Sequence, residues 1–346
     1  MNSANAASFD PLLRIATGFW ASRALYVAAK LLIADQLVGG PASAEELADA
    51  SGVHAPSLRR VLRALASLGV FAEDDHGRFD HTPLSRGLCA NGPGSLREFV
   101  VMLGEAESWR SWGEVMYSVR TGEPAFDKVF GTSQFDYLAG HPDAARNFDA
   151  AMAERSAAED DAVLAAWTFP PTGTVVDIGG GRGTLLSAVL RARPQLHGIV
   201  FDLAHVIERA RPAFAGQRLG SRLQGAPGDF FADELPRDAQ VYMLKKVIHD
   251  WDDARALAIL KACSRAMAPG ATLLLIEPVI APGNEPSFAK LLDLFMLVWP
   301  GGRERTESEH VSLLAGAGLE LRNGVATTSA LSILEAVRSP VAIDRP

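Results

Sequence analysis

The run TVVDIGGGRGTLL, residues 174–186, carries an apolar strand through a glycine-rich corner into a helix. β-Branched residues at its start favour extended backbone. The glycines after Ile178 let the main chain approach a ligand without Cβ interference. Downstream the same alternation repeats. GIVFDL (198–203) reads as a strand and HVIERARPAFA (205–215) as a helix. QVYMLKKVI (240–248) and ATLLLIE (271–277) are apolar strands, separated by a helix predicted over 252–267. Strands alternating with helices predict parallel pairing, hence an α/β, Rossmann-like, doubly wound sheet. Such sheets bind ligands at the carboxyl ends of their strands, near the point where strand order reverses.

Upstream the pattern changes. Residues 12–37 form an apolar helical stretch, interrupted at Gly18 and broken by Gly39-Gly40-Pro41. Ser43 with Glu46 three residues on is a capping-box pattern, and Gly52 ends that helix. Another helix is predicted from Ser57, with Leu58, Val61, Leu62 and Leu65 on one face. Two short strands follow around the polar turn Asp75–Gly77. Helix, turn, helix, hairpin is the order of a winged helix. A long helix is predicted from Asp143 to Trp167. The chain therefore divides into a winged-helix-like domain over 1–105, a helical connecting and pocket region over 106–170, and a nucleotide-binding domain over 171–346.

Composition narrows the functions. The chain has 346 residues, 48% of them hydrophobic and 21% charged, which excludes disorder as its main state. Two cysteines, Cys89 and Cys263, cannot frame a disulfide scaffold or a zinc site of their own. The first ten residues lack the basic and apolar blocks of a signal peptide, and no apolar stretch approaches ~18 residues. Cytoplasmic location without membrane contact is the expectation. Net charge is −8. Residues 1–100 carry 9 Lys and Arg against 10 Asp and Glu, so the winged helix lacks the basic footprint of a DNA reader despite Arg59, Arg60 and Arg63 on one helix.

The glycine corner does not complete the dinucleotide pattern GxGxxG. Counting from Gly179, the third position is Thr184; counting from Gly181, it is Leu186. The glycines stand at 179, 181 and 183, after Asp177. This DxGxGxG spacing resembles the first motif of class I S-adenosylmethionine-dependent methyltransferases. Asp202, closing the next strand, is placed to accept ribose hydroxyls. GDFF (228–231) offers a carboxylate and an aromatic for adenine. Each has a plainer reading, a tight turn for the glycines and a helix cap for Asp202, but the three occur in order.

LKKVIHDWDD (244–253) puts His249 at a strand end, where an imidazole can take a proton near neutral pH. Asp252 reads as a helix cap and Trp251 as packing. Taken in order, DIGGGRG, FDL, GDFF, LKKVIHDWDD, LLIEPVI and GGRERT resemble the plant-type O-methyltransferase family from about residue 12 to 338. That family includes caffeate and hydroxyindole O-methyltransferases and bacterial enzymes that methylate aromatic antibiotics.

The resemblance implies a class I methyltransferase fold behind a winged-helix dimerisation domain, and a homodimer formed through that domain. It implies His249 as general base, flanked by Glu277 and Glu304. It assigns S-adenosyl-L-methionine, with S-adenosyl-L-homocysteine as product, to Ser156, Asp177, Gly179, Gly180, Gly181, Asp202, Leu203, Asp229, Phe230 and Lys245. Lys245 also reads as an exposed charge. An aromatic acceptor in secondary metabolism or antibiotic biosynthesis is implied, against Phe126, Met152, Asp250, Met296 and Trp299, with Met296 equally readable as core. No metal and no nucleic acid are expected. Methylation at nitrogen or sulfur, a non-methylating reaction on the same cofactor, and a DNA-binding regulator are the alternatives. The presence of His249, Glu277 and Glu304 together favours methylation of a hydroxyl.

Overall fold

A computed structural model describes residues 11–90, 92 and 94–339. The extreme N-terminus read above for targeting lies outside them. The described residues form two compact units, one from the residues up to 109 with 141–155, the other from 110–140 with those from 156 onward. The connecting region expected over 106–170 is thus shared between the units.

In the first unit the stretch from 12 to 37 becomes three helices, Pro11–Ala16, Gly18–Lys30 and Ile33–Gln36. Ser43 caps the Ala44–Ser51 helix, and the reciprocal bonds with Glu46 form a complete capping box. The next helix begins earlier than predicted, at Ala55, because Pro56 suits a first turn and His54 takes the cap position. Leu58, Leu62 and Leu65 face a core with Ile33, Leu37, Leu47, Phe71 and Phe79. Strand β1 (Ala42–Ser43), β2 (Phe71–Glu73) and β3 (Arg78–His81) complete the wing, in the antiparallel order β1-β3-β2. Arg59 lies 3.9 Å from Glu45 and 3.7 Å from Glu73, so its charge is already met within the unit.

The second unit is built on β4 (Thr172–Ile178), β5 (Gln195–Asp202), β6 (Leu223–Pro227), β7 (Val241–Lys245), β8 (Thr272–Glu277), β9 (Leu319–Ala326) and β10 (Ser332–Arg338). Their order in the sheet is β6-β5-β4-β7-β8-β10-β9. Strand order reverses between β4 and β7, and there the glycine corner and the histidine loop leave the sheet. The first five strands are parallel, but β10 runs antiparallel to both β8 and β9. The alternation of strand and helix predicted only the parallel part.

Period-two alternation explains the two faces. Val176, Tyr242, Leu244, Leu273 and Leu275 enter one core with the Asp253–Ala266 helix. Their neighbours Val175, Val241, Met243, Leu274 and Ile276 enter the other, with the Thr184–Ala192 helix. Burying each large side chain contributes about 1.5–3 kcal/mol. With both faces covered, Gly179, Asp202, His249 and Glu277 lie at or just beyond the carboxyl ends of the parallel strands.

Candidate active site

The glycine corner follows β4. Gly179 has φ +68°, and a Cβ there would lie 2.8 Å from Val247, so a side chain would push into the loop that carries His249. The Gly181 N–H donates to Asp202 at 2.8 Å, and Leu203 N–H donates to the other oxygen of Asp202 at 2.7 Å. That carboxylate closes β5 with lone pairs still available on both oxygens. Asp229 accepts from Phe231 N–H at 2.8 Å, and Phe230 meets Phe231 and Trp251 edge-on. Trp251 also stacks on Phe135, which makes it packing.

Lys245 is buried rather than exposed. Its ammonium lies 2.5 Å from Asp160, 3.3 Å from Glu159 and 3.3 Å from Ser156 Oγ. Lys245 and Ser156, 89 positions apart in sequence, therefore meet. Asp160 and Glu159 are not singled out by the sequence reading; they lie within the helix predicted over 143–167. Asp177, beneath the corner, is pushed up to about 7 by burial, with Asp160 adding to the rise and Lys245 opposing it. Asp202 and Asp160 are also raised, chiefly by burial. Lys245 and Lys246 answer Glu159 and Asp160, while His205 and Arg209 act on Asp202.

His249 lies just beyond β7, in a short turn over Ile248–Asp250. Its Nδ1 is 2.8 Å from Glu304, which is wholly buried and is itself fixed by a 2.8 Å bond from its backbone N–H to Asp293. Glu277 flanks the ring less directly than expected. One of its oxygens is 3.8 Å from Nδ1, and the other accepts the backbone N–H groups of Val247 and Ile248 at 3.1 and 2.9 Å. Its principal bonds hold the loop, not the ring. Asp250 is 3.5 Å from the opposite nitrogen, Nε2.

Burial by itself favours neutral imidazole, but Asp250, Glu277 and Glu304 outweigh it and hold the His249 pKa at about 9 against an ordinary 6.5. Glu277 and Asp250 are both raised, burial being the main cause and His249 opposing it. One ligand atom from each of His249, Glu277 and Glu304 lies within 4.8 Å of the others. A proton or a small cation fits that spacing.

Met296, Trp299 and Phe126 are all buried, at 5%, 3% and 1% exposure. Phe126 and Trp299 belong to an aromatic cluster with Phe130, Tyr137 and Phe295. Met152 is half-buried on the Pro142–Ala166 helix and belongs to the first unit. Asp252 caps the following helix through Arg255 N–H, as its plainer reading had it. Nothing in the local pattern marks Arg305, whose side chain is fully buried. In GGRERT it looks like one more surface charge.

The glycine corner, the charged group around Lys245 and an imidazole backed by a carboxylate lie on a β6-β5-β4-β7-β8-β10-β9 sheet, the class I methyltransferase fold. Comparison with known proteins takes this further. An O-methyltransferase domain model matches residues 112–320, and an O-methyltransferase dimerisation domain model matches residues 13–91. The phenazine O-methyltransferase of Lysobacter antibioticus is 47% identical over 94% of this chain and 95% of its own. The mitomycin biosynthesis 6-O-methyltransferase of Streptomyces lavendulae is 39% identical over 93% and 92%. An O-methyltransferase from neocarzinostatin biosynthesis, solved with S-adenosyl-L-homocysteine and 1,4-dihydroxy-2-naphthoic acid, superposes with a TM-score of 0.81 at 35% identity over 94% of this chain and 98% of that one. The chain belongs to the O-methyltransferase family and uses S-adenosylmethionine.

Proposed function

We propose that this enzyme methylates a phenolic hydroxyl on a flat aromatic metabolite, with His249 removing the proton. The observation that carries this reading is the 2.8 Å contact between His249 Nδ1 and Glu304. A carboxylate at Nδ1 keeps that nitrogen protonated and leaves Nε2 as the site of proton uptake. A phenol titrates near ~10. With its pKa raised to about 9 by the surrounding carboxylates, the ring must first lose its own proton, so turnover is expected to rise with pH towards that value.

The corner at Gly179, Gly180 and Gly181, above Asp177, would hold the methionyl part of the cofactor, with Ser156 and the Lys245 group beside it. Asp202 and Leu203 would hold the ribose, and Asp229 and Phe230 the adenine. When bound, S-adenosylmethionine supplies a methyl group already activated by positively charged sulfur. What remains for the protein is alignment and proton removal. Asp250 stands beside Nε2, where a second polar group of the acceptor can meet it. Met296, Trp299 and Phe126, all in the second unit, are the candidate apolar contacts of the ring.

A homodimer formed through the N-terminal domain fits the apolar helices there, on which Ile15, Phe19 and Trp20 are 78%, 52% and 64% exposed. Tyr26, by contrast, is used within the unit, against Gly104 and Glu105. No described helix is long and apolar enough to cross a membrane, which fits a cytoplasmic enzyme. The test is incubation with methyl-labelled S-adenosylmethionine and a panel of hydroxylated phenazines, naphthoates and simple phenols. A mass gain of one methyl on oxygen is the expected outcome; methylation confined to ring nitrogens, or none across the panel, overturns it.

A further inference from the structure

The histidine loop is not held by its own sequence. Its backbone leaves β7 through Lys246, a non-glycine residue at φ +53°, and turns within a few residues. Such a turn leaves donors and acceptors that no helix or strand satisfies. The donors go to Glu277, as described. The acceptors go to Arg305. Its guanidinium donates to the carbonyl oxygens of Ile248 at 3.0 Å and Trp251 at 2.8 Å, on either side of His249. It also meets one oxygen of Asp253 at 2.8 and 3.0 Å. Between these, the backbone N–H of Arg303 donates to the carbonyl of His249 itself at 2.8 Å. Close approach is possible because residue 302 is glycine: a Cβ there would lie 1.9 Å from the His249 carbonyl oxygen.

The two jaws are tied to each other. Beyond β8 the chain continues past Glu277, and Ile280 N–H donates to the carbonyl of Arg305 at 3.0 Å. We infer that Arg305 is a positioning residue for the methyl-transfer reaction, clamping the carbonyls on both sides of His249 so that its ring stays on Glu304 with Nε2 facing the acceptor. A buried guanidinium suits the task because its planar fork serves several acceptors at fixed angles, which the three rotating donors of a lysine do not. The inference rests on His249 being the base, and its test separates the two.

Arg305→Lys keeps charge and approximate length while losing the fork. Misplacing a catalytic group by an ångström costs ~10²-fold in rate, so kcat is expected to fall by about that factor. Cofactor affinity, read by calorimetry, is expected to stay within about twofold, since the change falls on a transition-state interaction. The pH–rate profile is expected to move to lower pH as the ring drifts from Glu304. Wild-type kcat and an unmoved profile overturn the inference. Equal losses in kcat, cofactor affinity and melting temperature also overturn it, because they mark a merely structural role. Should Arg305→Lys fail to fold, Asp253→Asn removes the fork's exposed partner instead. A smaller loss in kcat with the same direction of profile shift is then expected, and an unchanged profile overturns the inference. His249→Ala is measured alongside: if it keeps wild-type turnover the base assignment fails, whereas an inactive His249→Ala with a normal Arg305→Lys defeats only the clamp.

Discussion

The glycine corner and the histidine loop leave neighbouring strands of one sheet, yet they are held in different ways. The corner is largely local. Gly180 is crowded by Asp177, three residues back, and Gly181 is bonded to Asp202 on the adjoining strand. The loop depends on partners from far along the chain: Glu277, Glu304 and Arg305 act on residues 247–251. The difference follows from the tasks. A surface that receives a ligand needs bare backbone, which glycine provides. A side chain that takes up and releases a proton must keep one orientation and one tautomer, and that takes buried charges from several directions.

Separating the two regions experimentally begins with His249→Ala. Loss of a general base costs ~10²–10⁴-fold in turnover, and calorimetric binding of S-adenosyl-L-homocysteine should survive; parallel loss of both would mean that the regions are one unit. Gly179→Ala tests the corner from the other side. A side chain in a left-handed position costs about 1–2 kcal/mol, and here it would also strike Val247, so cofactor affinity should fall together with kcat. Unchanged affinity would remove Gly179 from the cofactor site.

Glu304→Gln should act on the loop alone. Removing a negative neighbour lowers the pKa of His249, so the rising limb of the pH–rate profile should shift to lower pH while its plateau drops. An unmoved limb would detach Glu304 from the base. The same group leaves a mark on stability. Because the folded pKa of His249, about 9, lies above its ordinary 6.5, its contribution is complete below pH 6.5 and is lost as pH rises through 9. Glu277, also raised, adds a loss as pH rises through about 7. Melting temperature should therefore decline over that window, and less so in His249→Ala. The smallest effect is expected of Asp252→Ala, which removes an N-cap worth ~1 kcal/mol. Thermal denaturation should register that loss while turnover stays near wild type.

How much could be read in advance follows the same division. The glycine corner after β4 and the caps at Ser43 and Asp252 are legible because each is a contiguous pattern with a local cause. Lys245 could not be told from a surface lysine until Asp160 and Glu159 were seen beside it. Glu277 is expected beside His249 and lies 3.8 Å from its ring, but only the fold shows that it spends its hydrogen bonds on the loop backbone. Arg305 was invisible: an arginine between a glutamate and a threonine carries no sign that it is buried. The antiparallel β10 was missed as well, since strand pairing direction at a sheet edge is decided by where the chain returns.

From the amino-acid order alone came the alternation of strand and helix, the glycine spacing and the presence of one histidine at a strand end, because periodicity and backbone freedom are properties of neighbouring residues. Tertiary structure decided which charges meet in the dry interior. Whether a carboxylate there binds a proton, a ring or a backbone N–H depends on burial and on a few ångströms of distance. Those quantities are set by how the segments pack, and no run of adjacent residues contains them.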